Sequence, residues 1–257
     1  MSNSASGSIG KPDAIHAIVR NVVDTRYEDL SQKAVDATKT FILDSLGVAI
    51  AGSLAPGVSE TLGVLCDWGG KKESTVLVTG EMLPAPSSAM MNSFLIHNQE
   101  FDCVHDLAVV HAFTTVLPVA LAVAESQGGV TGRELLTAVA LGVDVASSIG
   151  ISSRSPIAHF RPGTAGAFGA VAAAGKVAGF DQTTLSDAMG IVYSQISGTL
   201  QPHSEGAQVN SIQTGFNARA AVTAISLASR GIQGASEVLE GRYGYFRLYE
   251  GEYDVEE

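Results

Sequence analysis

Apolar residues recur at three- and four-residue intervals along most of the chain, and short Gly-rich or polar stretches separate the runs. This is the pattern of helices that each bury one face. Pro12 and Asp13 open a first helix with Ile15, Ile18, Val19 and Val22 turned inward. Asp29 caps a longer one that carries Ala34, Ala37, Phe41, Ile42 and Leu46. The PAPSS run at residues 84–88 starts another, with Met90, Phe94 and Leu95 directed to the core. Further helices are expected from Thr131, Ala165, Asp181 and Ile212, ending near Gly150, Gly179, Gly198 and Gly231. Residues 74–79, STVLVT, read as the one strand, and one strand does not make a sheet. The Ala- and Gly-rich stretches at 165–178 and 216–228 permit close backbone approach at the centre of an assembly. The pattern predicts an all-α, bundle-like fold in a single domain over residues 1–257, with residues 1–10 disordered.

Composition excludes several function classes. Apolar residues make up 46% of the 257 and charged residues 16%, far from the make-up of a disordered chain. Fifteen Lys and Arg against 26 Asp and Glu leave a net charge of −11, so no basic field is expected to hold nucleic acid or an anionic membrane. Cys66 and Cys103 lie far apart, forming neither a disulfide framework nor a zinc ribbon. The N-terminus lacks a secretion signal, and the apolar runs are broken before they could span a bilayer. A soluble, cytoplasmic protein is the expectation.

Chemistry concentrates in residues 97–125, HNQEFDCVHDLAVVHAFTTVLPVALAVAE, where Glu100, Asp102, His105, Asp106 and His111 stand in an apolar background. A carboxylate and an imidazole held together in a buried site shift each other's protonation, which suits proton transfer. Asp102, His105 and Asp106 also have the spacing of a solvated helix face, but Glu100 and His111 fall outside such a stripe. Pro118 places His111 before a helix start or beside a distortion. Cys103 offers a nucleophile or, more simply, a small buried thiol.

Three other segments carry polar groups. Residues 154–169 hold Arg154, His159 and Arg161 ahead of a Gly-rich helix start, where guanidinium forks and free N–H groups suit a carboxylate. Residues 200–215 hold His203, Asn210 and Gln213 in what reads as a long polar loop. Residues 240–254 alternate Gly and Tyr, as a ligand-lining loop or a packed extension. No phosphate loop, dinucleotide fingerprint or HExxH occurs. The six-residue interval between His105 and His111 does not match a helical metal pair, so no metal is expected.

Several segments, in order, resemble the MmgE/PrpD family: residues 41–53 (FILDSLGVAIAGS), 100–105 (EFDCVH) with the downstream His111 and VLPVALAVAE, 166–181 (GAFGAVAAAGKVAGFD), 215–231 (GFNARAAVTAISLASRG) and 237–246 (EVLEGRYGYF). That family includes 2-methylcitrate dehydratase, cis-aconitate decarboxylase and iminodisuccinate epimerase. The resemblance implies an all-α domain that forms a homodimer and acts on a small carboxylic acid with neither metal nor organic cofactor. The family's acidic-aromatic-acidic motif and following histidine match Glu100, Phe101, Asp102, His105 and His111. On this basis His111 or Asp102 removes a carbon-bound proton, His105 serves as acid or orienter, and Glu100 tunes the imidazoles. His159, Arg161, Asn210 and Gln213 bind substrate, with Arg161 on a carboxylate.

The departures from the family pattern are specific. The family usually has aspartates at Glu100 and Cys103, threonine at Val104, lysine at Asn210 and histidine at Phe160. Its members are longer and carry a mixed α/β lid domain. The resemblance therefore implies a lyase or isomerase that dehydrates, decarboxylates or epimerises a small hydroxy- or keto-carboxylic acid, with the lid either supplied by a separate chain or missing from a reduced form. The alternatives are a catalytically inert helical homologue that serves as a binding or assembly partner and, more remotely, a hydrolase using Cys103 with His105.

Overall fold

The computed structural model describes residues 12–255, and the disorder expected for residues 1–10 lies outside them. The helices are α1 (Ile15–Asp24), α2 (Gln32–Gly52), α3 (Val58–Trp68), α4 (Ala85–His97), α5 (Ala112–Ser126), α6 (Gly132–Ile151), α7 (Arg161–Val177), α8 (Gln182–Tyr193), α9 (Gln201–Glu205) and α10 (Val209–Ala228). A minimal antiparallel hairpin pairs β1 (Ser74–Thr75) with β2 (Met82–Leu83), Ser74 opposite Leu83. The described residues thus form an all-α domain.

The composition of α7 explains its place. Every residue from Arg161 to Gly175 is buried, and the helix packs on α5, α6, α8 and α10. Its small residues let backbones touch: a Cβ at Gly169 would lie 2.3 Å from the Gly142 carbonyl oxygen of α6, and one at Gly142 would lie 2.6 Å from the Gly169 carbonyl oxygen. Any larger side chain at this crossing forces the helices apart. Around this centre, α4, α5 and α10 are also buried over most of their length, whereas α1 buries only Ile15, Val19 and Val22.

Caps fix several helix starts. Thr131 and Glu134 form a reciprocal capping box, the Thr131 N–H donating to the Glu134 carboxylate at 2.7 Å, and Asp181 accepts from the Thr184 N–H at 2.8 Å. The second helix is capped by Ser31 rather than Asp29, because Tyr27–Asp29 forms its own short turn. α3, β2 and α9 had no clear sequence signal. The segment read as a long polar loop at 200–215 contains α9 and the start of α10, so Asn210 and Gln213 sit on the first two turns of a helix. Phe41 is 41% exposed rather than buried, and Leu43, Ile50 and Leu54 are more exposed still. Between α2 and α6 lies an apolar groove of about 690 Å³. α6 is itself long and apolar enough to cross a membrane, contrary to the expectation from sequence. Its most apolar window, however, is 56% buried inside the protein.

Candidate active site

The chain between α4 and α5, residues 98–111, is irregular rather than helical, so the helical-face reading of Asp102, His105 and Asp106 does not hold. Asn98 ties its start to the Gly52 carbonyl at 2.8 Å. Glu100 and Val109 adopt φ of +52° and +51°, costing of order 1 kcal/mol each for residues with a Cβ. A tight turn closes its end: the His105 N–H donates to the Val110 carbonyl at 3.0 Å and the Val109 N–H to the His105 carbonyl at 2.8 Å. This path folds Asp102 inward between the last residue of α4 and the first turn of α5.

Asp102 is fully buried there and accepts from three groups. The Nδ1 of His97 lies 3.0 Å from Oδ2 and 3.1 Å from Oδ1, the Nδ1 of His111 lies 3.1 Å from Oδ2, and Thr114 Oγ1 donates to Oδ2. The His111 Nδ1 also lies 3.1 Å from the Asp102 main-chain oxygen. Burial alone would push the Asp102 carboxyl up, but the hydrogen bonds of His111 and His97, with imidazole charge beside them, outweigh it and hold the group well below the usual carboxylate range. Burial pushes His111 down, yet the bond and charge of Asp102, helped by Glu100, leave its value raised. Asp102 therefore stays ionised, and His111 is the member of the pair chemically suited to exchanging a proton. With Nδ1 turned to Asp102, its Nε2 is the ring nitrogen left for a ligand, as in carboxylate–imidazole dyads generally.

His97 was not among the candidates drawn from the sequence. It terminates an almost wholly buried helix and reads there as one more core position. The available signal was its spacing of five residues from Asp102, which lets a chain that leaves a helix turn back on it. His97, Asp102 and His111 are also the described residues that come nearest to a metal-ligand set, with their ligating atoms within 4.8 Å. Their separations are those of N–H···O hydrogen bonds, and Thr114 adds a further donor, so we assign them as a hydrogen-bonded cluster.

The remaining candidates are placed differently. Glu100 accepts from Asn210 Nδ2 at 2.8 Å and lies 3.9 Å from His203 Nδ1, lining a polar cavity of about 440 Å³ with Gln99, Asn98 and Ser211. Gln213 holds the chain at Thr199, accepting from its N–H at 2.8 Å. His105 is exposed and lines the apolar groove with Cys103 and Val104, apart from the Asp102 cluster. Cys103 has its thiol pushed up to about 12, first by burial and then by Asp102 and Asp44, which suppresses the thiolate a Cys–His hydrolase needs. His159 bonds through Nδ1 to the Tyr249 carbonyl at 3.1 Å, while its neighbour Phe160 packs on the His97 ring at 5.6 Å.

Arg161, expected to hold a substrate carboxylate, has its fork filled by the chain's own Glu250. Nε lies 3.1 Å from both carboxylate oxygens and Nη2 lies 2.8 Å from Oε2. Nη1 donates to the Ala108 carbonyl and Nη2 also to Ser153 Oγ. Tyr245 Oη donates to Glu250 at 2.6 Å and meets Thr164 Oγ1 at 3.1 Å. The Gly and Tyr alternation of residues 240–254 thus folds back on the start of α7 as a packed extension.

The arrangement is a helical domain that holds a buried carboxylate against an imidazole at its edge, a pairing suited to proton transfer. The chain belongs to the MmgE/PrpD family, whose N-terminal domain model matches residues 16–257. Cis-aconitate decarboxylase of Aspergillus terreus is 27% identical over 254 residues, covering 96% of this chain and 52% of that protein. Human cis-aconitate decarboxylase is 26% identical over 232 residues, covering 86% and 47%. Cis-aconitate decarboxylase-like protein oryM of Aspergillus oryzae is 25% identical over 235 residues, covering 88% and 48%. The chain spans about half the length of these relatives.

Proposed function

We propose that this chain supplies the acid–base half of a lyase that acts on a small carboxylic acid, with no metal or organic cofactor. The carrying observation is His111, which is anchored through Nδ1 on buried Asp102 and only part-buried itself, leaving Nε2 as its proton-transfer atom. The names of the relatives support decarboxylation first. In that step the bond to the leaving carboxylate breaks, its electron pair passes into the adjoining unsaturated system, and the carbon that gains charge takes a proton from the His111 Nε2. A raised imidazole pKa favours this donor role, and Asp102 stabilises the imidazolium until the proton leaves. Dehydration and epimerisation use the same atom in the opposite sense, as a base.

Glu100, with Asn210 and His203 across the polar cavity, is the binding wall of this reading. The second half of the relatives' length is part of the proposal too, as the element that closes the site and lends further residues, from a separate chain or the same one. A cytoplasmic homodimer completes it; the exposed apolar residues Leu43 and Ile50 of α2 and Leu54 just beyond it support the dimer. One observation favours the inert-homologue alternative: Asn210 is spent on Glu100 and Arg161 on Glu250, so neither offers a free cation to a substrate carboxylate.

The test is carbon-bound deuterium incorporation and carbon dioxide release from a panel of polycarboxylic acids, cis-aconitate included, in deuterated water. Exchange or release that disappears in His111→Ala supports the lyase. Full activity in that variant removes His111 from the mechanism, and no turnover with or without a co-expressed second half favours the inert homologue.

A further inference from the structure

We propose that His97 is a positioning residue: as a neutral donor it shares the Asp102 carboxylate with His111 and so limits how much of that charge His111 feels. The inference rests on the reading of Asp102 and His111 as the acid–base pair.

Three observations carry it. Both imidazoles approach the same oxygen, Oδ2, through Nδ1, at 3.0 and 3.1 Å, with ring centroids 5.0 Å apart. Two cations that close would repel, so the cluster holds one proton beyond the neutral pair at most. The two rings also differ in their far ends. The His97 side chain is 2% exposed and its Nε2 is buried without a hydrogen-bond partner, whereas the His111 side chain is 21% exposed. A cationic His97 would bury an Nε2–H with no acceptor, which costs far more than leaving a neutral nitrogen's lone pair unmatched. The extra proton therefore goes to His111, whose far end is open to solvent or substrate.

The charges acting on His111 are those of Asp102 and Glu100. From the neighbouring elements, α5 brings the uncharged Thr114 to the carboxylate and α7 is preceded by the apolar Phe160. α10 contributes the uncharged Asn210 on the far side of Glu100. His97 is thus the group that competes with His111 for Asp102 most directly. Removing its N–H leaves the carboxylate more charge to offer His111.

The experiment is a histidine side-chain NMR titration of the purified chain and of variants at His97 and Asp102 across the imidazole range. In the wild type, His111 titrates while His97 keeps the signature of a neutral ring protonated on Nδ1. His97→Asn places an amide N–H close to the position of Nδ1–H and should keep the wild-type His111 midpoint. His97→Phe removes the donor and should move that midpoint upward. His97→Gln, whose amide sits nearer the Nε2 position, serves if the Phe variant does not fold and should move it the same way. An unmoved midpoint in the folded Phe or Gln variant overturns the inference, as does a His97 that takes up the proton while His111 stays neutral. Asp102→Asn separates the two levels. If it fails to lower the His111 midpoint, the acid–base pair itself is wrong; if it lowers it while the His97 variants change nothing, only the role of His97 falls.

Discussion

Two buried carboxylates of this domain are held in opposite ways. Glu250 is closed in: Arg161 grips both of its oxygens, Tyr245 donates to it, and Ser153 and the Ala108 carbonyl take two further guanidinium donors. Asp102 is as deeply buried, but its partners are imidazoles whose far nitrogens are not spent on the cluster. The first arrangement joins residues 89 positions apart into a fixed structure. The second stores a negative charge beside a group that exchanges protons near neutral pH. A saturated ion pair is scaffold, and a carboxylate bonded to imidazoles is poised chemistry.

Breaking the scaffold should give the largest effect. Glu250→Ala strands the Arg161 guanidinium in the interior and should cost about 3–5 kcal/mol in urea unfolding. Replacing both partners, as Arg161→Met with Glu250→Leu, should restore much of that loss, since no charge is left unpaired. If the single variant loses under 1 kcal/mol, the cluster is not the closed pair described above.

Breaking the poised cluster should cost activity first. In the active assembly, His111→Gln should lower turnover about 10²–10⁴-fold, the range of a general acid–base group, with little change in the unfolding midpoint. A variant that unfolds without losing turnover per folded molecule would make His111 structural.

The pH response sharpens the contrast. Asp102 is lowered in the folded state, so its contribution is complete above the ordinary carboxylate value of about 3.9 and is lost as pH falls toward its folded value. His111 is raised, so its contribution is complete below about 6.5 and is lost as pH rises through its folded value. Both are present between those limits, where denaturation should show this cluster's greatest support. The Glu250 cluster answers at alkaline pH: burial and the Glu250 charge raise Tyr245, so stability falls once pH passes the ordinary tyrosine value of about 10. The smallest effect expected is that of Thr114→Val, which removes one of three donors to Asp102 and should cost about 1 kcal/mol.

The helices were legible where periodicity coincided with a cap, as at Thr131 and Asp181, or with small residues that permit backbone contact, as in α7. Asp102 and His111 were legible because ionisable residues are conspicuous in an apolar stretch. His97 was not, because its spacing gains meaning only once the chain is seen to reverse after α4. The filling of Arg161 by Glu250 lay equally out of reach, since no local rule pairs residues so distant in sequence. His105 was misplaced for the converse reason: adjacency to Asp102 suggested one site, but the turn at residues 105–110 puts it in the apolar groove.

The most direct measurement is the NMR titration midpoint of the His111 imidazole in the wild-type chain and in Asp102→Asn. A midpoint above the ordinary histidine value of about 6.5 that falls in the variant is the expected result, because the carboxylate is gone and only the main-chain bond and the Glu100 charge then oppose burial. A midpoint at or below 6.5 in the wild type, unchanged in the variant, would contradict the coupling on which the proposed chemistry depends.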